Sequence, residues 1–417
     1  MELHSEIGQK RSGISGAFSF EALVSYYVLS GLLKSVMEYY EINLPIDITV
    51  FFMGLIILSM VNEWLNKKDF LKVDNESALL LLFFILFYVW MAVSLIYTPS
   101  SNYAFQKVFK SLTNIIFIII ILRGNFNTSR FFKVSFILIL LILIWFLPIR
   151  FLYISGQSPK GYWFTREIMG LYLHISMPLG MFLLYYLSSK NNFSEKRLIN
   201  QVLYGIALIG LLLLAARGPI LFFVIVYVMY FILYGKIKVA INKNHILYSI
   251  LGISIFLVLL LIYKEEFFEL FSLTLNRFEL IFSGLKSSEN DFGSSINGRF
   301  ELISQATGII FASISNFLFG TGIGSFGILT IGEDIRHYPH NFVLEIWCEL
   351  GLIGIIIFLS IVFISIRKIR FSFSNLNIFP ILYILLNFMK SGSLSDMRLL
   401  FTVLAIYFIT TNKPAIR

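Results

Sequence analysis

Long apolar runs separated by short charged breaks dominate the chain. The runs have the length a helix needs to cross a bilayer, about 20 residues. Reading runs against breaks predicts spans near Phe18 to Tyr40, Ile46 to Leu65, Ala78 to Ile96, Val108 to Leu122 and Val134 to Tyr153. Further spans follow near Ile168 to Ser188, Leu198 to Ala216, Gly218 to Gly235 and Ile246 to Tyr263. After a polar gap come Phe342 to Ile366, Asn375 to Met389 and Leu399 to Thr411. The runs are unbroken Leu, Ile and Phe rather than alternating, which argues against a β-barrel. The expectation is an all-α polytopic membrane protein of about 12 transmembrane helices, one membrane domain over 1–417. Nine helices fall in 18–263, a large outer loop in 264–341 and three helices in 342–411.

Basic residues orient these spans, because Lys and Arg accumulate in short cytoplasmic segments. With the N-terminus inside, Lys10/Arg11, Lys67/Lys68/Lys72, Arg123/Arg130/Lys133, Lys190/Lys196/Arg197, Lys236/Lys238/Lys243, Arg367/Lys368/Arg370 and Lys413/Arg417 all lie on the cytoplasmic face. Both termini are therefore expected in the cytoplasm. The first 17 residues are polar and the first apolar run is long enough to stay as an anchor, so no cleavable signal is expected. The outer loop contains a turn-rich stretch, SGLKSSENDFGSSING, before Phe300, Ile303, Ile310, Ile314 and Phe317 recur at helical spacing. That recurrence predicts an amphipathic helix from Arg299 to Phe317, followed by a glycine-rich turn from Gly320 to Gly327.

Composition agrees with a lipid solvent: 58% of the 417 residues are hydrophobic and 14% charged. Soluble domains carry roughly 45–50% and about 25%. The net charge of +9 would suggest nucleic acid in a soluble protein, but here the cations punctuate apolar spans, and no nucleic-acid partner is expected. Cys348 stands alone, which excludes an intrachain disulfide and a cysteine-built metal site. The sequence GIGSFG (Gly322, Gly324, Gly327) matches a dinucleotide fingerprint in letters only, since no strand-turn-helix context surrounds it. It reads as a turn that needs positive φ and close backbone approach.

Candidate chemistry gathers where the outer loop meets the next span, RHYPHNFVLE. His337 and His340 stand there, and a histidine at a membrane–water boundary can accept a proton from a sugar hydroxyl. Asn341 is placed to orient the imidazole. Glu345 and Glu349, at i and i+4 in an apolar helix, are costly without partners, and arginines of other helices are the competing structural explanation. Arg217 occupies a tight turn between two spans, and Arg299 begins the loop helix. Arg166, Arg336, Lys390 and Arg398 complete an outward cationic cluster whose guanidinium groups suit a pyrophosphate. Ion pairs with Glu301, Asp334 or Asp396 are the bland alternative. Glu289 and Asp291, the nearest paired carboxylates, read as a solvated loop, and neither a metal nor another cofactor is expected, because cations can stabilise a departing pyrophosphate.

At this point the chain resembles the O-antigen polymerase and O-antigen ligase superfamily, membrane glycosyltransferases acting on undecaprenyl-pyrophosphate-linked glycans. Arg217-Gly-Pro-Ile-Leu221 fits its R-x3-L pattern, and Arg299 leads into Phe319-Gly-Thr-Gly-Ile-Gly324, similar to its arginine-to-FGxG stretch. His340-Asn341, nine residues, then Gly351-Leu-Ile-Gly354 fits its HN-x9-GxxG signature. Ser393-Leu-Ser-Asp396-Met-Arg398 resembles the polar hairpin between its last two helices. These pieces cover Leu211 to Phe401, whereas the N-terminal half matches only as a hydropathy profile.

The resemblance implies a GT-C-like enzyme of the bacterial inner membrane. In it His340 acts as general base, and Arg217 and Arg299 hold the donor pyrophosphate. Its partners would be the lipid-linked oligosaccharide and membrane lipid, with room for a chain-length regulator protein. Polymerase is favoured over ligase on wording and composition. A bicarbonate-type transporter is the reading outside enzymology, weakened because the charges cluster at one interface.

Overall fold

In the computed structural model, which describes residues 19–66, 73–154, 170–188, 197–234, 294–367 and 378–412, no strand occurs among the described residues. By length and composition, Ile48–Asn66, Asn75–Ile96, Asn102–Arg123, Thr128–Leu152, Leu171–Ser188 and Phe342–Ile366 can each cross a membrane. Shorter apolar helices cover Ile199–Leu213, Arg217–Leu233, Phe379–Ser391 and Arg398–Thr411. The chain is a polytopic all-helical membrane protein. The span expected at Ile246 to Tyr263, together with Arg166, Glu289 and Asp291, lies outside the described residues.

The first expected span differs: it is two helices, α1 (Phe20–Val28) and α2 (Ser30–Tyr39). The physical reason lies far along the chain. Arg398 Nη1 donates to the Tyr27 carbonyl at 3.3 Å and to Ser30 Oγ at 2.8 Å, occupying an acceptor that a continuous helix would use four residues on. After α3 (Ile48–Asn66) and α4 (Asn75–Val93), the fourth span also differs, beginning at Asn102 rather than Val108. Asp334 caps this start, accepting from Asn102 N at 2.8 Å, Ser101 N at 3.2 Å and Ser100 Oγ at 2.5 Å. The earlier start puts Lys107 inside α5 (Asn102–Ser111), which continues through a 3-10 turn into α6 (Ile116–Arg123).

The remaining helices are α7 (Thr128–Ile154), α8 (Leu171–Ser188), α9 (Arg197–Leu213), α10 (Arg217–Tyr234), α11 (Ser294–Phe311), α12 (Ile314–Phe319), α13 (Phe326–Ile331), α14 (Phe342–Ile366), α15 (Phe379–Ser391) and α16 (Arg398–Asn412). Two helices organise the packing. α8 touches α7, α9, α10 and α15, while α14 touches α4, α11, α12 and α16. By contrast α3 buries Ile56 alone, its other residues being exposed or half-buried, as in a helix with one side toward lipid. Since lipid is as apolar as leucine, contact between these helices rests on close packing and polar links rather than on exclusion of water. Phe132 stacked on Tyr185 at 3.7 Å illustrates the first, and Arg398 the second.

The expected loop helix is broken at Ala312 and Ser313, where Ser313 Oγ accepts from Asn316 N at 3.0 Å and starts α12. That break changes the phase of the apolar stripe. Ala306, Ile310 and Phe317 pack with Leu344, Trp347 and Cys348 of α14, whereas Phe300 and Ile314 are exposed at 57% and 80%.

α14 is itself interrupted. Gly351 takes φ 68° and ψ −170°, a conformation open essentially to glycine alone. Breaking the helix leaves carbonyls without their usual donors, a cost that buried backbone does not tolerate. Each finds one elsewhere: Cys348 O accepts from Thr321 N at 2.8 Å, Glu349 O from Gly322 N at 2.9 Å, and Leu350 O from Trp90 Nε1 at 2.8 Å. The glycine-rich turn is thus a docking piece for the break, with φ 77° at Gly320 and 92° at Gly322, as its glycine spacing predicted. A methyl group at Gly351 would strike the Leu318 carbonyl and Gly320 N. Gly351→Ala is therefore expected to destabilise the detergent-solubilised protein by about 3 kcal/mol or more in thermal unfolding. Gly54→Ala and Gly205→Ala, both into open space, should cost nothing.

Candidate functional site

The segment 332–341 joins α13 to α14, and a single residue sets its direction at the second helix. His340 adopts φ 53°, a left-handed conformation rare outside glycine and a mark of sites where strain is retained. Asn341 then caps α14, its Oδ1 accepting from Val343 N at 3.0 Å and Leu344 N at 3.1 Å. The side chain expected to orient the imidazole instead starts the helix behind it. His340 packs on the Tyr338 ring at 4.5 Å, and the Arg336 guanidinium lies 5.5 Å from the same ring. His337 stacks on Phe326 at 5.4 Å.

Charge around His340 is positive. Burial pushes its pKa down, and Arg299, His337 and Arg336 push it further, to about 4, so the imidazole is neutral at physiological pH. Burial alone lowers His337. Arg336 behaves oppositely: burial works against its charge, but Asp396, 2.6 Å from Nη2, more than offsets this and raises its pKa. The ion pair foreseen as a bland alternative for Arg336 is therefore present, and it ties the 336–340 segment to the turn before α16.

Arg299 on α11, Lys390 in the last turn of α15 and Arg217 at the start of α10 form the second half of the cluster. Lys390 feels the charges of both arginines. Its ammonium lies so close to Gly218 that any side chain there would collide with it. Like charges gathered in this way repel, and an anion laid among them relieves the repulsion. Arg398, by contrast, holds α16 to α1 and α2 through the bonds given above.

Glu345 and Glu349 find a partner that sequence reasoning missed. Lys107 Nζ lies 2.5 Å from Glu345 Oε1 and 2.7 Å from Glu349 Oε2, with all three side chains fully buried. Glu345 also accepts from Leu394 N at 2.9 Å and Ser393 Oγ at 3.2 Å. The expected arginines are not involved. This cluster joins α5, α14 and the turn carrying Asp396, so it holds the frame on which His340 and Arg336 sit. A signal was available: Ser100-Ser101-Asn102 is a helix start, and a helix begun there would have carried Lys107 into the apolar span.

Fold and geometry together define a polytopic membrane protein that presents a neutral imidazole beside converging cations. A family model described as O-antigen ligase matches residues 202–359, so that this part of the chain is similar to the O-antigen ligase family. The matched interval holds Arg217, Arg299, Arg336, His340 and Gly351; it does not separate polymerase from ligase. Among curated proteins, none matches the chain.

Proposed function

We propose that the protein is a glycosyltransferase that polymerises repeat units carried on undecaprenyl pyrophosphate, working at the outer face of the bacterial inner membrane with both termini in the cytoplasm. The observation that carries this reading is the neutral His340 beside Arg299 and Arg336, with Arg299 in turn close to Lys390, which also feels Arg217. Arg217 and Arg299 hold the donor pyrophosphate, with Lys390 and Arg336 adding charge. His340 takes the proton of the acceptor hydroxyl as its oxygen bonds to the anomeric carbon. The bond from that carbon to the pyrophosphate breaks, and undecaprenyl pyrophosphate leaves with the bonding electrons. Anion binding next to His340 raises its proton affinity, so the base strengthens when the donor is in place.

A second reading is favoured by the description of the matched family: ligase, passing finished glycan to lipid A core. Deleting the gene in a Gram-negative host and separating its lipopolysaccharide on a gel tests both. Loss of the polymerase should leave core bearing one repeat unit. Loss of the ligase should leave bare core, with polymer stranded on undecaprenyl pyrophosphate. An unchanged ladder overturns both.

A further inference from the structure

A cavity of about 270 Å³ opens between α2, α8 and the start of α16. Its polar wall is made by His174, Asp396 and Arg398, and its apolar floor includes Leu32, Met177 and Pro178. His174 belongs to α8, whose other residues near it, Leu171, Ile175, Ser176 and Pro178, are buried, yet His174 itself is exposed into the cavity. No protein group among the described residues hydrogen-bonds its imidazole. Asp396 lines the cavity and accepts the Arg336 guanidinium on Oδ2, its Oδ1 having no hydrogen bond among the described residues. Arg398 engages Nη1 with Tyr27 and Ser30, while Nη2 lies beside Gly31, another lining residue.

The chemistry of these groups selects among ligands. A carboxylate accepts, a guanidinium donates, and a neutral imidazole does one of each. A phosphate would meet the Asp396 carboxylate, a cation would meet Arg398, and a hydrocarbon would strand all of them without partners. A polyol satisfies every one, and its C–H faces suit the apolar floor. We propose that this cavity is a saccharide subsite that takes one uncharged sugar ring, with Asp396 as the wall it shares with the His340 cluster. His174 and His340 both feel the charge of Arg336, so the two sites meet at the Arg336–Asp396 pair. That the ring belongs to a glycan substrate rests on the transfer reading; affinity for a free neutral sugar does not.

Saturation-transfer NMR on the full chain in lipid nanodiscs tests this, with methyl glycosides of a neutral hexose, a 6-deoxyhexose and an N-acetylhexosamine as probes. At least one should receive saturation at its ring protons. Gly31→Leu should abolish the signal, because a Cβ there has ordinary room, 3.6 Å to Arg398, and the rest of the side chain extends into the cavity. His174→Ala should weaken binding roughly tenfold, the effect of one lost hydrogen bond. Should Gly31→Leu fail to fold, His174→Ala alone decides. Absence of binding by every glycoside, a signal that survives the variants, or displacement by inorganic phosphate would each overturn the subsite. An unchanged lipopolysaccharide ladder after gene deletion would instead overturn the transfer reading and leave a positive sugar result standing.

Discussion

Replacing His340 with asparagine is expected to slow glycan transfer by about 10²–10⁴-fold, the range for loss of a general base, with insertion and thermal unfolding close to wild type. Asparagine is the better probe than alanine because it tolerates the left-handed backbone at φ 53° and so removes the base without adding strain. The pH profile gives an independent reading. Burial and the neighbouring cations disfavour the imidazolium, so kcat/KM should hold through neutrality and decline only as pH approaches about 4. Arg299→Gln removes one of those cations, which raises the pKa and shifts the acidic limb upward, toward the ordinary histidine value. A wild-type limb near that ordinary value, or full transfer by His340→Asn, would remove His340 from the role.

Lys107→Met should destabilise the protein by about 3–5 kcal/mol, because it strands Glu345 and Glu349 together in an apolar interior without a counter-charge. In practice the variant should accumulate poorly and unfold at a much lower temperature in fluorescence-detected thermal melts. The companion experiment removes all the charge at once. Adding Glu345→Gln and Glu349→Gln should restore most of the lost stability, since uncharged amides of similar shape need no ammonium between them. A Lys107→Met protein as stable as wild type would show that the cluster is not what holds α5 to α14.

Much of this was legible because bilayer physics leaves few options. Hydrophobic runs located most of the membrane helices, and HN-x9-GxxG singled out His340, Asn341 and Gly351, whereas the left-handed His340, the Asn341 cap and the break at Gly351 came from the structure. What sequence could not supply was pairing between distant segments. Glu345 and Glu349 announced that a cation was needed, but the fourth span was started at Val108, which left Lys107 outside the membrane and out of consideration. Asp334 looked like an arginine partner because its charge was visible; that it caps α5 depends on how the 332–336 segment folds back. The break between α1 and α2 is held by Arg398, nearly a whole chain away, and the one local turn signal, Ser30-Gly31, was passed over inside an apolar run. His174 was absorbed into an apolar span as an isolated histidine, although an ionisable residue within a membrane helix is a functional candidate by default.

The bonds that assemble the site span long stretches of chain, 238 residues from Lys107 to Glu345 and 260 from Trp90 to Leu350. Chains are inserted from the N-terminus onward. During synthesis, α5 therefore enters the bilayer with an ammonium that has no counter-ion until α14 emerges, and until then the Trp90 indole and the Gly320 turn have no broken helix to receive them. Synthesis and assembly are staggered as a result: the helices made first receive their long-range partners from the helices made last.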